Sequence, residues 1–261
     1  WARRPAPAEL RSAPARSATF LLFNTRRAPF DDLRVRRALS MAIDREALAK
    51  QVRGGDAEPA WSYVAPTTRD YVPTQGPAWR GWSTARRLET ARQLLAQAGH
   101  GPGRPLALQL DFIAGTLEKR EAVALAAMWR RIGVVAALRS SDARTLYGNV
   151  ERGEFALAST AIAPMLPGPM IWFEILASAT ARRNGGWSHA RFDVLVDQAR
   201  RARDVDARTA LLQQAEAIVL EEQPLAPLVF PAWQELVAPR VSVFPDNPTS
   251  VRQSRWLAVD G

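Results

Sequence analysis

Cysteine is absent from the 261 residues, histidine and lysine each occur only twice, and no apolar run approaches the length of a membrane span. Each scarcity removes a class of function. Without cysteine there are no disulfides, no thiolate nucleophiles and no thiolate metal ligands. With only His100 and His189 available, a metal site needing three or four convergent ligands has little to draw on. A helix crossing a bilayer needs about 20 consecutive apolar residues, and the chain offers none. Nothing matches a P-loop or a dinucleotide-binding glycine fingerprint; the Gly-rich turn at 99–103 has the wrong spacing and follows a helix rather than a strand. No cofactor, no metal and no enzymatic activity are expected.

What is abundant is arginine. The formal net charge is +9, and 33 of the 35 basic residues are arginine, since lysine stands only at Lys50 and Lys119. The arginines are scattered in pairs such as Arg36-Arg37, Arg86-Arg87 and Arg130-Arg131, mostly on the polar sides of predicted helices. That distribution describes solvated faces rather than a phosphate track, so no nucleic-acid partner is expected. Hydrophobic residues at 47% and charged ones at 23% are ordinary for a globular protein.

Residues 1–17, rich in Pro, Ala and Arg without a period, read as an irregular lead-in. The apolar run 18–24 predicts a buried strand. In the stretch 29–52, Asp31 or Asp32 caps a short helix with Val35, Ala38, Leu39 and Ala42 on one face, and Asp44 caps a second that Gly54-Gly55 ends. The segment 56–81 interleaves prolines with Trp61, Tyr63, Tyr71 and Trp79, so it cannot be a regular helix or a central strand. A helix capped by Ser83 or Thr84 and stopped by Gly99 follows, then a strand at 106–112. A helix from Thr116 to Gly133 comes next, with Val123, Ala127, Trp129 and Ile132 inward, then a strand at 134–138, a helix at 142–150 and a strand at 155–162. Further helices are expected at 170–179, 191–203 and 206–221, and two strands at 225–230 and 233–237. The alternation predicts an α/β fold, a mainly parallel sheet flanked by helices. The domain expected is a single lobe at 18–238, with a tail at 239–261.

In such sheets ligands sit beyond the carboxyl ends of the strands. The loop 160–169 leaves such an end, and Pro167, Gly168 and Pro169 keep it from becoming helical. The pair His189 and Asp193 reads as a surface pair at a helix start, and His100 as part of a helix-terminating turn.

The order FNTRRAPFDDLRVRRALSMAIDREAL at 23–48 resembles the segment opening the C-terminal lobe in the oligopeptide- and dipeptide-binding family of bacterial ABC-transporter solute-binding proteins, family 5. Pro59, Ala60, Ser62 and Pro66 are similar to a further stretch of that family, as is the patch at 184–188 followed by Phe192 and Asp193. The resemblance implies a periplasmic-binding-protein type II lobe, with a missing N-terminal lobe of the same protein preceding it and the tail crossing back toward that lobe. It also implies a solute-binding component of an ABC importer, periplasmic or lipid-anchored on the outer face of the cytoplasmic membrane, whose partners are ABC permease subunits and a peptide-like or other small solute.

Peptide-binding members carry an Asp-Tyr pair in the loop, and the Asp holds the ligand's amino terminus. Laid onto this chain through Pro169, those positions are Met165 and Leu166. The departure implies an apolar, adaptable wall and an N-blocked, modified or non-peptide solute. Thr160, Ile162, Met165, Leu166, Asn184, Trp187 and Tyr63 are the expected ligand-binding residues. The rival reading is a non-transport sensor or chaperone-like module that binds a protein partner through the same cleft. An exposed patch around Trp61, Tyr63 and Trp79 would favour it.

Overall fold

The computed structural model describes residues 10–180, 185–242 and 258–259. At its centre runs β2 (Ala18–Phe23), an almost wholly buried strand. Leu21 and Phe23 enter one hydrophobic cluster while Phe20 and Leu22 enter another. A strand with a core on each face has no polar side, which is why 18–24 reads as a continuous apolar run.

Seven strands form the sheet in the order β1-β7-β2-β6-β4-β5, with β3 also on β7. They are β1 (Leu10–Pro14), β2, β3 (Ala57–Pro59), β4 (Leu106–Ile113), β5 (Val134–Ser141), β6 (Leu157–Ile162) and β7 (Leu225–Leu236). The helices are α1 (Leu33–Met41), α2 (Arg45–Ala47, continued by a π turn at Leu48–Val52), α3 (Thr84–Gln97), α4 (Thr116–Arg130), α5 (Ala143–Arg152), α6 (Met170–Glu174), α7 (Ala190–Arg201) and α8 (Val205–Glu222). Separate from the sheet, β8 (Val241–Ser242) pairs with β9 (Ala258–Val259). The path of the tail between them lies outside the described residues.

The α/β class with flanking helices is as expected. The sheet is mixed, however, rather than mainly parallel. Only β4 with β5 and β4 with β6 are parallel; β2 with β6, β2 with β7, β1 with β7 and β3 with β7 are antiparallel. The strand–helix alternation that specifies parallel pairing runs only from β4 to β6. The strands outside it carry no local mark of direction.

Two further expectations are corrected at β7. The lead-in is not irregular throughout, because Leu10–Pro14 forms β1 against Leu236–Ala232. The two strands expected at 225–230 and 233–237 are one continuous strand. Pro231 misled the reading: it lies where β7 passes from pairing with β2 to pairing with β1, its carbonyl still accepts from Ala15 N at 3.0 Å, and the Ala15 carbonyl takes the Thr67 hydroxyl instead of the N–H that proline lacks.

Helix caps form where the sequence puts them. Asp32, Asp44, Ser83 and Asp142 each accept a backbone N–H at the start of α1, α2, α3 and α5. Helix α4 is turned relative to expectation. Ala122, Leu125 and Trp129 are buried, whereas Val123 and Ala127 are exposed. Trp129 sets the rotation by donating Nε1 to Leu39 O at 3.1 Å, and the buried Glu121 is carried inward beside it, paired with Arg53 at 2.6 Å. Helix α6 ends at Glu174 rather than 179, and only a 3-10 turn, Ser178–Thr180, follows.

The proline- and aromatic-rich segment is an ordered loop, apart from β3 and a 3-10 turn at Ala78–Gly81. Two buried charges hold it. Glu216 of α8, fully enclosed, accepts from the N–H groups of Tyr63, Val64 and Thr74 and from the Tyr71 hydroxyl, all at 2.8–3.0 Å. Arg45 donates to the carbonyls of Ser40, Ala60 and Pro227. Its guanidinium lies 4.7 Å from the Trp61 ring centroid and 5.4 Å from that of Trp79. Desolvation, helped by Arg87, lowers the Arg45 pKa to about 9.

Candidate ligand-binding site

The antiparallel register of β2 and β6 sets Ala18 opposite Ile162. Extending it by two residues brings Arg16 opposite Pro164, just past the carboxyl end of β6. There the chain enters the loop 163–169, whose prolines at 164, 167 and 169 deny it helical hydrogen bonds. Met165 and Leu166 stand out from this loop, 75% and 67% exposed. No other large apolar side chain among the described residues is more exposed than these two.

Arg16 braces the loop through its main chain. Its Nε and Nη2 donate to Pro164 O at 3.3 and 3.1 Å, and Nη2 also donates to Met165 O at 3.0 Å. The side chain is buried, with 6% of its surface exposed. Desolvation, and secondarily the like charge of Arg69, holds its pKa below the usual guanidinium value. The segment carrying it is fixed in turn by Thr67, whose hydroxyl donates to Ala15 O at 3.1 Å. Sequence reasoning missed Arg16 because it falls within a stretch read as irregular. Its signal is positional and becomes visible only once the β2–β6 register is known.

The other expected residues are placed differently. Thr160 and Ile162 are buried on β6; Ile162 packs in the cluster between the sheet and helices α6 to α8, and Thr160 Oγ1 has no partner among the described residues. Tyr63 is buried in the same cluster, and its hydroxyl is spent on Trp172 O at 2.7 Å. Burial and the charge of Glu216 push that phenol well above the usual tyrosine range. Trp187 lies under the start of α7, stacked on His189 with ring centroids 5.9 Å apart and edge-on to Phe192 at 5.0 Å. These four residues are therefore buried and line no open surface among the described residues. Asn184 lies outside the described residues.

The histidine–aspartate pair is architectural. His189 Nδ1 accepts the Phe192 N–H at 3.2 Å as the cap of α7, and Asp193 Oδ1 accepts from Ser178 N at 3.0 Å. His100 follows Gly99 in the turn that ends α3, donating its N–H to Leu95 O at 2.8 Å. Among the described residues no group of three or more His, Asp or Glu is arranged to hold a metal ion, and no helix is long and apolar enough to cross a membrane.

Residues 3–184 match the model of the bacterial extracellular solute-binding proteins, family 5, middle part. The chain belongs to this family. Among curated relatives, the probable deoxycholate-binding periplasmic protein YgiS of Escherichia coli is 30% identical over 97% of the chain, and the periplasmic murein peptide-binding protein MppA of the same organism is 29% identical over 97%. The solved structure of E. coli MppA superposes with a TM-score of 0.90 at 28% identity over 98% of the chain, and that of OppA from Burkholderia pseudomallei with 0.90 at 27% over 98%. The chain spans about half the length of the curated relatives it matches, 47% for both YgiS and MppA. Family 5 members of this group are binding proteins rather than enzymes.

Proposed function

We propose that this chain is one lobe of a periplasmic, or lipid-anchored, solute-binding component of an ABC importer. It holds a peptide-like or modified small solute against a second, N-terminal lobe through the loop 163–169. The two lobes close on the solute about a hinge, and the closed form docks on the permease subunits. One observation carries the reading: Met165 and Leu166 stand exposed on an arginine-braced loop at the carboxyl end of β6, and the resemblance assigns these two positions to the Asp-Tyr pair of peptide-binding members. A thioether and an isobutyl group cannot hold a cationic α-amine by a charge-assisted bond. They suit an N-blocked peptide or an amphipathic non-peptide solute, and the name of YgiS, a probable deoxycholate binder, supports the second kind.

The protein-binding alternative loses its main support, since Trp61, Tyr63 and Trp79 are buried at 7%, 1% and 6% exposure. The test uses the full-length, two-lobed protein in a thermal-shift screen of free-amine peptides, N-acetylated peptides, bile acids and sugars. One class raises stability by RT ln(1 + [L]/Kd), about 2.7 kcal/mol at a hundredfold excess over Kd. N-acetylated peptides or bile acids are expected to do so, and Met165→Asp is expected to restore binding of free-amine peptides. Tight binding of free-amine peptides that Met165→Asp weakens would overturn the argument.

A further inference from the structure

Arg16 does more than its bonds to the loop require. A guanidinium carries five N–H donors and a full charge; here Nε and Nη2 face main-chain carbonyls, which satisfy donors and neutralise nothing. Among the described residues Nη1 makes no hydrogen bond, and no carboxylate lies within ion-pair distance of Arg16. The neighbouring charge that acts on it is Arg69, of the same sign, and the acid nearest that residue, Asp70, is already engaged with it at 3.4 Å. A buried, unpaired cation is costly to keep, and the cost is offset when an anion completes the pair.

The cation is also pre-set. Two carbonyls fix the plane of the guanidinium, and Thr67 fixes the backbone behind it, so an incoming anion orders little that is not already ordered. Its position matters as much. Arg16 touches the carbonyl of Met165 itself, the residue that stands where the resemblance places a carboxylate. The polarity of this corner is thereby opposite to that of an amine anchor: a fixed positive charge bound to the main chain of the same loop that exposes the side chains of Met165 and Leu166.

We propose that Arg16 is an anion-recognition point, and that the solute held against Met165 and Leu166 carries a carboxylate on an apolar body. The inference rests on the solute-binding reading above and deepens it. A free α-amine at this corner meets repulsion rather than an anchor. A carboxylate gains an opposite charge and the N–H groups of Nη1, the donors that the carbonyls of Pro164 and Met165 leave over.

The test is calorimetric titration of the full-length protein with two matched pairs of probes: deoxycholate and its methyl ester, and N-acetyl-Leu-Leu and its C-terminal amide. The expected result is at least a tenfold preference for the charged member of a pair that binds. Arg16→Gln, which keeps a donor for the carbonyls, removes that preference, and Arg16→Lys retains most of it. Because Arg16 also braces the loop, the melting temperature of each variant is read beside its affinities, and Arg16→Lys, which keeps the charge and a donor for the carbonyls, is the control for the bracing. Equal affinity for charged and neutral members, a preference unchanged in Arg16→Gln, or one lost as fully in Arg16→Lys as in Arg16→Gln, overturns the inference while leaving solute binding intact. Binding by none of the four probes, nor by any compound of the wider screen, overturns the solute-binding reading and the inference with it.

Discussion

Replacing Glu216 by alanine tests how the long aromatic loop is held. The carboxylate is fully enclosed and receives four hydrogen bonds, from Tyr63 N, Val64 N, Tyr71 Oη and Thr74 N, at 2.8, 3.0, 2.8 and 2.8 Å. Bonds to a charged acceptor contribute about 1.5–3 kcal/mol each, so four of them amount to roughly 6 kcal/mol at the low end. Burying an ion costs several kcal/mol that alanine no longer incurs, and the cavity left by the deleted side chain adds about 1 kcal/mol of loss. The net expectation is a loss of about 4 kcal/mol. That is near the upper end for a point substitution and corresponds to roughly 10 °C in melting temperature for a domain of this size.

Glutamine separates the charge from the shape. Its carbonyl oxygen still accepts from Tyr63 and Val64, but its amide meets the Thr74 N–H donor to donor, while the Tyr71 hydroxyl can turn to accept. One conflict remains, and the expected loss is about 2 kcal/mol. The assay is urea unfolding followed by intrinsic tryptophan fluorescence, together with limited proteolysis across residues 61–76, where cleavage should rise in the order wild type, Glu216→Gln, Glu216→Ala. A midpoint for Glu216→Ala that corresponds to a loss below about 1 kcal/mol would refute the view that one buried carboxylate organises the loop.

Two further outcomes are expected. Burial first, and then the charge of Glu216, raises the pKa of the Tyr71 phenol; the folded state therefore keeps a proton that the unfolded state releases near pH 10, so stability is full below that pH and falls above it. Tyr71→Phe should lessen the alkaline loss by about 1.4 kcal/mol per pH unit above pH 10, read from urea midpoints between pH 8 and 11, and an unchanged slope would contradict the assignment. Gly185 has φ +73°, an added Cβ would collide with Phe23 O, and its own carbonyl accepts from Thr25 N at 2.8 Å. Gly185→Ala is expected to cost about 2 kcal/mol or more by thermal unfolding, and a neutral result would show that the 185–187 turn does not need to lie against the end of β2.

Much of the fold was legible because its signals are local. Asp32, Asp44, Ser83 and Asp142 announce helix starts within three residues of the bond they make, and Gly99 and Gly133 announce ends by adopting positive φ. The all-apolar β2 announces burial on both faces. The rotation of α4 was less legible, since a buried Glu121 is admissible only because Arg53, 68 residues away, comes to meet it.

The exposed loop was likewise readable from its prolines and from Met165 and Leu166, but its chemistry was not. Tyr63 and Trp187 look like ligand-facing aromatics in one dimension and are core residues in three. By itself, then, the sequence determined most of the helices, their caps and the family, because these are written in spacings of a few residues. Tertiary structure alone decided strand direction, which aromatics are buried, and the pairing of distant groups such as Glu216 with Tyr63 and Arg16 with Pro164, 153 and 148 positions apart. No local propensity encodes such contacts; they exist only once the register of β2 and β6 and the packing of α8 have brought the partners together.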